Sequence, residues 1–159
     1  MTTELVSTEG EFSRPSPTFL RLSAGFVYFH FGLLKFFPDL SEAELIAGQT
    51  MMRLSGNTLD AVTALWWLAV VECTIGLCFL FNVGLKWMFF VFLAHQASTF
   101  IPLFVFPEIT FKFVPFAPTM EGQYILKNLI SVAAGWTVML PVVKEGWKQN
   151  KPANAAANS

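Results

Sequence analysis

Four long apolar runs fill most of the chain, and inside them lie one glutamate and two histidines. The runs are Phe19–Phe37, Ala61–Phe81, Leu85–Phe106 and Tyr124–Val143. A helix that crosses hydrocarbon needs ~20 mostly apolar residues. Hydrophobic residues make up 54% of the chain and charged residues 13%, against about 25% charged in soluble domains. A soluble fold would have to bury all four runs within a small chain. The solvent implied is therefore a bilayer.

The expected fold class is all-α: an integral membrane four-helix bundle carried by a single transmembrane domain, 19–143. Residues 1–18 are polar and include Glu4, Glu9 and Glu11, unlike the positive leader of a secretory signal. The first helix is thus expected to be retained as an anchor. Residues 144–159 are expected to form a disordered tail, because the Ala/Asn-rich end has nothing to bury.

With four crossings, both tails and the link Asn82–Lys86 share one side of the membrane. That side carries Arg14, Arg21, Lys86, Lys144, Lys148 and Lys151. The other side holds Lys35, Arg53, Lys112 and Lys127 among six carboxylates. Counting Lys and Arg near helix ends favours both termini in the cytoplasm. A net charge of −1 gives no reason to expect a nucleic-acid partner.

Two exoplasmic segments follow from this topology. Ser41 and Glu44 have capping-box spacing, and the apolar residues after them recur with helical period until Gly56-Asn57. Ser41–Leu54 is therefore expected to be an amphipathic helix on the membrane face or over the bundle. The second segment is punctuated by Pro102, Pro107, Pro115 and Pro118. Pro102 should kink or end the third span. Glu108–Phe113 alternates polar and apolar, the period of a strand. A lone strand is excluded from hydrocarbon, so this piece folds over the bundle or sits at the interface.

Charge at membrane depth costs ~2.5–3.5 kcal/mol per residue on insertion scales, which makes it a functional suspect. Glu72 lies ~15 Å from the outer end of its helix. Its short side chain cannot snorkel, so it is protonated, paired or facing a wet cavity. A protonated glutamic acid bonded to a neighbouring helix competes with a proton-handling or ligand-binding role. His30 and His95 come out at equal depth, ~15 Å above the cytoplasmic ends of their helices. They could make interhelical hydrogen bonds, flank a quinone head, pair with Glu72 or, as the lesser alternative, ligate a haem b iron. Lys35, Lys127 and Arg21 lie nearer the interfaces, where long stems snorkel. Lys127 and Asn128 could instead hydrogen-bond a quinone carbonyl.

Arg21, Gly25, Tyr28, Gly32 and Lys35 form a stripe along the first helix, and Gly76 lies one turn beyond Glu72. Small residues allow close helix approach, so the stripe is expected to pack against the Glu72 helix. Cys73 and Cys78 point roughly 140° apart on one helix and cannot bridge each other. No metal site and no C-x-x-C motif are read from the sequence.

Arg21-x-x-Ala24-Gly25, Gly32-Leu33-Leu34-Lys35-Phe36 and Glu72-x-x-x-Gly76 resemble motifs of the DoxX/DoxD-like membrane proteins. Lys35-Phe36 with Glu42-Ala43, and Gly122-Gln123-Tyr124-x-x-Lys127-Asn128, are similar to the YkgB-type branch. The resemblance covers roughly Leu20 to Leu140 and implies a four-helix inner-membrane protein associated with redox chemistry. The family's name-giving member is a subunit of a thiosulfate:quinone oxidoreductase. On that resemblance Arg21, Lys35, Glu72 and Lys127 match motif positions; the two histidines do not.

The function expected is a quinone-interacting subunit of a larger membrane oxidoreductase. Glu72 would be its catalytic proton or hydrogen-bond group. Lys35, Lys127, Asn128, His30 and His95 would be candidate ligand-binding residues, and quinone the cofactor. Its partners would be the lipid bilayer and other membrane subunits or a second copy. The alternatives are an accessory subunit with no ligand and a proton-coupled transporter of a small solute.

Overall fold

A computed structural model describes residues 17–37, 40 and 44–149. The elements in chain order are α1 (Pro17–Leu34), α2 (Glu44–Leu54), α3 (Ala61–Phe81), α4 (Leu85–Phe100), α5 (Pro102–Val105), α6 (Pro107–Thr110), β1 (Phe111–Phe113), β2 (Ala117–Pro118) and α7 (Met120–Gln149). Among the described residues, three stretches are long and apolar enough to cross a membrane: Ala61–Phe81, Leu85–Val105 and Met120–Trp147. The run expected as a first span is shorter than read. Helix α1 stops at Leu34, and Arg21, Ser23, Tyr28 and His30 dilute its apolar character.

Local chemistry sets the helix ends. Asp60 precedes α3 in extended backbone and accepts the N–H groups of Val62 and Thr63 at 3.1 and 3.0 Å. It thereby satisfies two of the donors that every helix start leaves open. At the far end Asn82 adopts a left-handed conformation, φ 59°, and its N–H donates to the Cys78 carbonyl. Gly84 follows with φ 66°, where any side chain would be strained. This short turn folds α4 back antiparallel to α3. Gly56 and Asn57, both left-handed, end α2 where the sequence indicated. The Ser41 half of the expected capping box lies outside the described residues.

The bonds from Thr63 and Val62 hold the exposed Asp60 carboxyl below its ordinary range, Thr63 contributing most. A carboxyl whose pKa is lowered by folding adds stability above its unfolded pKa and loses it as pH falls through the folded value. Acid below about pH 4 is therefore expected to lower the melting temperature partly through this cap. Asp60→Asn, which keeps a capping oxygen, should flatten that acid limb; a melt series across pH in detergent checks it.

Pro102 ends α4 and begins the next turn, α5, as the sequence indicated. Pro107 then sits at the first position of α6, where its missing N–H costs nothing. Hence Glu108–Thr110, expected as strand, is a helical turn, and only Phe111–Phe113 is extended. β1 pairs antiparallel with β2 in a small hairpin. The hairpin is tied down where α7 begins: Thr119 donates its N–H to Thr110 O at 2.9 Å and its hydroxyl to Ile109 O at 2.7 Å. Gly122 is required there, since a Cβ would lie 3.1 Å from the Thr110 carbonyl carbon and closer still to its oxygen.

Helix α7 runs past Pro141 to Gln149, so residues 144–149, expected in the disordered tail, are helical, and the rest of that tail lies outside the described residues. The polar residues Lys144 and Glu145 end the apolar run but are good helix formers and do not end the helix.

The core is aromatic. Tyr28 from α1, Ile75 and Phe79 from α3, Leu85, Phe89 and Phe92 from α4, and Val138, Met139 and Val143 from α7 form one buried cluster. The Phe92 ring sits where Gly135 has no side chain; a Cβ there would lie 3.0 Å from Phe92 Cε2. A second cluster joins Ile46 of α2, Phe106 and Ile125, with the Arg53 guanidinium 4.8 Å from the centre of the Phe106 ring. It gathers α2, α5, α6 and the start of α7 at the end of the molecule where α3 and α7 begin. Trp87 and Trp147 lie at the opposite end, both exposed.

Candidate functional site

The stripe read along α1 faces α3. Arg21 donates to the carbonyls of Phe79 and Leu80, the latter at 2.9 Å, within the last turn of α3. Those carbonyls have no partner within the helix, and the guanidinium also opposes the negative end of its dipole. A Cβ on Gly25 would lie 2.9 Å from Leu80, and one on Gly32 would lie 2.9 Å from Glu72 Cβ and from Cys73 Sγ. A Cβ on Gly76 would lie 2.7 Å from Phe29 Cα. The two backbones therefore touch at three glycines. Further along, the Phe36 ring meets Trp66 edge-on at 4.9 Å.

This close approach brings Lys35 onto Glu72. Lys35 Nζ lies 2.6 Å from Glu72 Oε2, and the two side chains are only 9% and 11% exposed. The second carboxylate oxygen, Oε1, lies 3.5 Å from His95 Nε2, on a histidine side chain 4% exposed. Three helical segments thus deliver three ionisable groups to one point: the end of α1, the middle of α3 and the middle of α4. The short Asn82–Gly84 turn explains why Glu72 and His95 meet, because they stand at nearly equal distances from it.

An aromatic floor lies beneath the imidazole. The Tyr28 ring is 5.9 Å from His95 and 5.7 Å from Phe92, edge-on to both. Next to His95, Gln96 is buried and donates its Nε2 hydrogen to the backbone oxygen of Asn128 at 3.1 Å. This bond links α4 to α7 beside the site. Among the described residues, no buried side-chain nitrogen or oxygen lacks a hydrogen-bond partner.

Of the residues picked from the sequence, Lys35, Glu72 and His95 converge. His30 does not: it is exposed on the outer face of α1, stacked on Phe26 at 5.6 Å. The two histidines share a depth but not a face, so they do not frame one ligand between them. Lys127 is exposed, with its ammonium 4.8 Å from the Tyr124 ring centre. Asn128 takes part through its backbone oxygen. Tyr28 and Gln96 were not picked. Tyr28 was legible from its place on the glycine stripe; nothing in the sequence marked Gln96 beyond its position beside His95.

No protein-family model, curated protein or solved structure matches this chain.

Proposed function

We propose that this chain is a small inner-membrane protein of four crossing helices, both ends cytoplasmic. It binds the oxygen-bearing head of a quinone at Lys35, Glu72 and His95, as a subunit of a membrane oxidoreductase. One observation carries the reading: a carboxylate midway along a spanning helix is held between an ammonium and an imidazole. Such groups are costly within hydrocarbon and mark proton or ligand pathways. The motif resemblance to DoxX/DoxD-like proteins through Lys35 and Glu72 supports the same reading.

The donor set suits a quinone carbonyl. An ammonium has three N–H donors; Glu72 takes one at 2.6 Å and Phe31 O a second at 3.4 Å, which leaves a third. The Phe36–Trp66 pair beside Lys35 offers flat apolar surface. A bound quinone would supply the electron-accepting group, whose reduction also consumes protons. Lys35 would orient its oxygen. Glu72 would hold a proton next to it, and His95, in contact with the other carboxylate oxygen, would replenish that proton.

The test is quinone content and affinity in the protein purified with mild detergent, alone and with whatever co-purifies. Wild type is expected to carry stoichiometric quinone, and Glu72→Gln to bind it about tenfold more weakly, the effect of ~1.4 kcal/mol. Equal binding by the variant would overturn the role of Glu72. Absence of quinone from wild type would favour the second reading, in which the three residues are an ionic clip between helices. What favours that alternative is that, among the described residues, no buried side-chain nitrogen or oxygen is left without a partner.

A further inference from the structure

The hairpin between α6 and α7 has an apolar tip that nothing among the described residues covers. Residues 112–116, Lys-Phe-Val-Pro-Phe, are all exposed. Phe113 is 66% exposed and Phe116 82%, and their rings stack on each other at 6.4 Å rather than on the core. The base is different. Thr110 is fully buried, and Thr119 ties the two arms together and to the start of α7. A firmly held base thus projects a water-averse tip, which is the opposite of an ordinary surface loop.

We infer that this tip is a membrane-interface anchor, inserted at the boundary between headgroups and acyl chains of the leaflet at the α7 start. Three observations select lipid as the occupant. First, exposed Phe104 precedes the hairpin and exposed Met120 follows it, each at the end of a stretch long and apolar enough to cross a membrane. Second, its composition is three apolar side chains and a proline beside one exposed cation, Lys112. The long Lys112 stem lets the ammonium reach phosphate while the rings go deeper. Third, the strand pairing satisfies backbone groups near the base, and Pro115 has no N–H to satisfy. The tip can therefore enter the interface, where some water remains, though not the hydrocarbon centre.

The anchor would fix how deep Glu72, midway along α3, lies below the leaflet surface. This inference is independent of quinone binding. It is tested on the full chain reconstituted in phosphatidylcholine–phosphatidylglycerol vesicles. A nitroxide is attached at Phe116→Cys, and in a second protein at Val114→Cys, with Cys73→Ala and Cys78→Ala as background. Asn57→Cys, in the exposed polar turn after α2, is the reference. The expected result is an oxygen-to-nickel-chelate accessibility ratio several-fold higher at 116 and 114 than at 57. A ratio equal to that at 57 would place the tip in water and overturn the inference. Protection from both reagents would also overturn it, showing that a protein partner or a second copy covers the tip.

Discussion

Glu72→Ala is expected to lower the unfolding free energy of the detergent-solubilised protein by about 3–5 kcal/mol, the usual cost of removing one member of a buried ion pair. The cause is the group left behind. Lys35 Nζ, with its side chain 9% exposed, would keep its charge among apolar neighbours and lose the carboxylate 2.6 Å away. His95 would lose its polar contact on Oε1 as well. The same principle predicts the rescue. Replacing both charges by apolar groups of similar volume, Glu72→Leu with Lys35→Met, should restore most of the stability. Chemical unfolding in mixed micelles reads both. A double variant no more stable than Glu72→Ala would show that the loss comes from packing. The double variant also separates function from structure: it should fold well and fail to bind quinone.

The second large effect is expected at Gly76. Gly76→Val puts a branched side chain where Phe29 Cα would already lie 2.7 Å from a Cβ. Backbone cannot be displaced as a flexible side chain can, so α1 and α3 must move apart. Overpacking of this kind costs about 1–3 kcal/mol, and here it also pulls Arg21 and Lys35 from their partners. The opening has a chemical readout. Cys73 Sγ lies 3.8 Å from Phe29 O within that seam, so its alkylation by a maleimide should speed up in Gly76→Val. Leu77→Val, on the exposed side of the same helix, should change neither stability nor labelling by more than a few tenths of a kcal/mol. Unchanged labelling in Gly76→Val would mean that the seam accommodates the side chain.

The glycine stripe and the depth of Glu72 were legible because both follow from spacing alone. A helix of 3.6 residues per turn puts Arg21, Gly25, Tyr28, Gly32 and Lys35 on one side, and that side proved to be the α3 contact. Rise per residue likewise gave His30 and His95 the same height. Spacing cannot give a helix its rotation about its own axis, which depends on neighbours far away in the chain. That is why His30 and His95 looked alike in sequence and separate in the fold, one on the outer face and one against Glu72. Lys127 stands apart from the converging group for the same reason. The proline segment was half legible: alternation marked the extended Phe111–Phe113, but Pro107 at a helix start outweighed alternation over Glu108–Thr110. The shortness of α1 was masked by its apolar content, since Phe36 and Phe37 extend the run without extending the helix.

The chain order of the three ionisable groups bears on how the protein is made. Lys35 precedes Glu72, and His95 follows it on the next helix. In synthesis from the N-terminus the ammonium is therefore made before the carboxylate, and the imidazole after both. Were Lys35 placed after His95 instead, the finished site would be the same, but the carboxylate would be made before either of its partners.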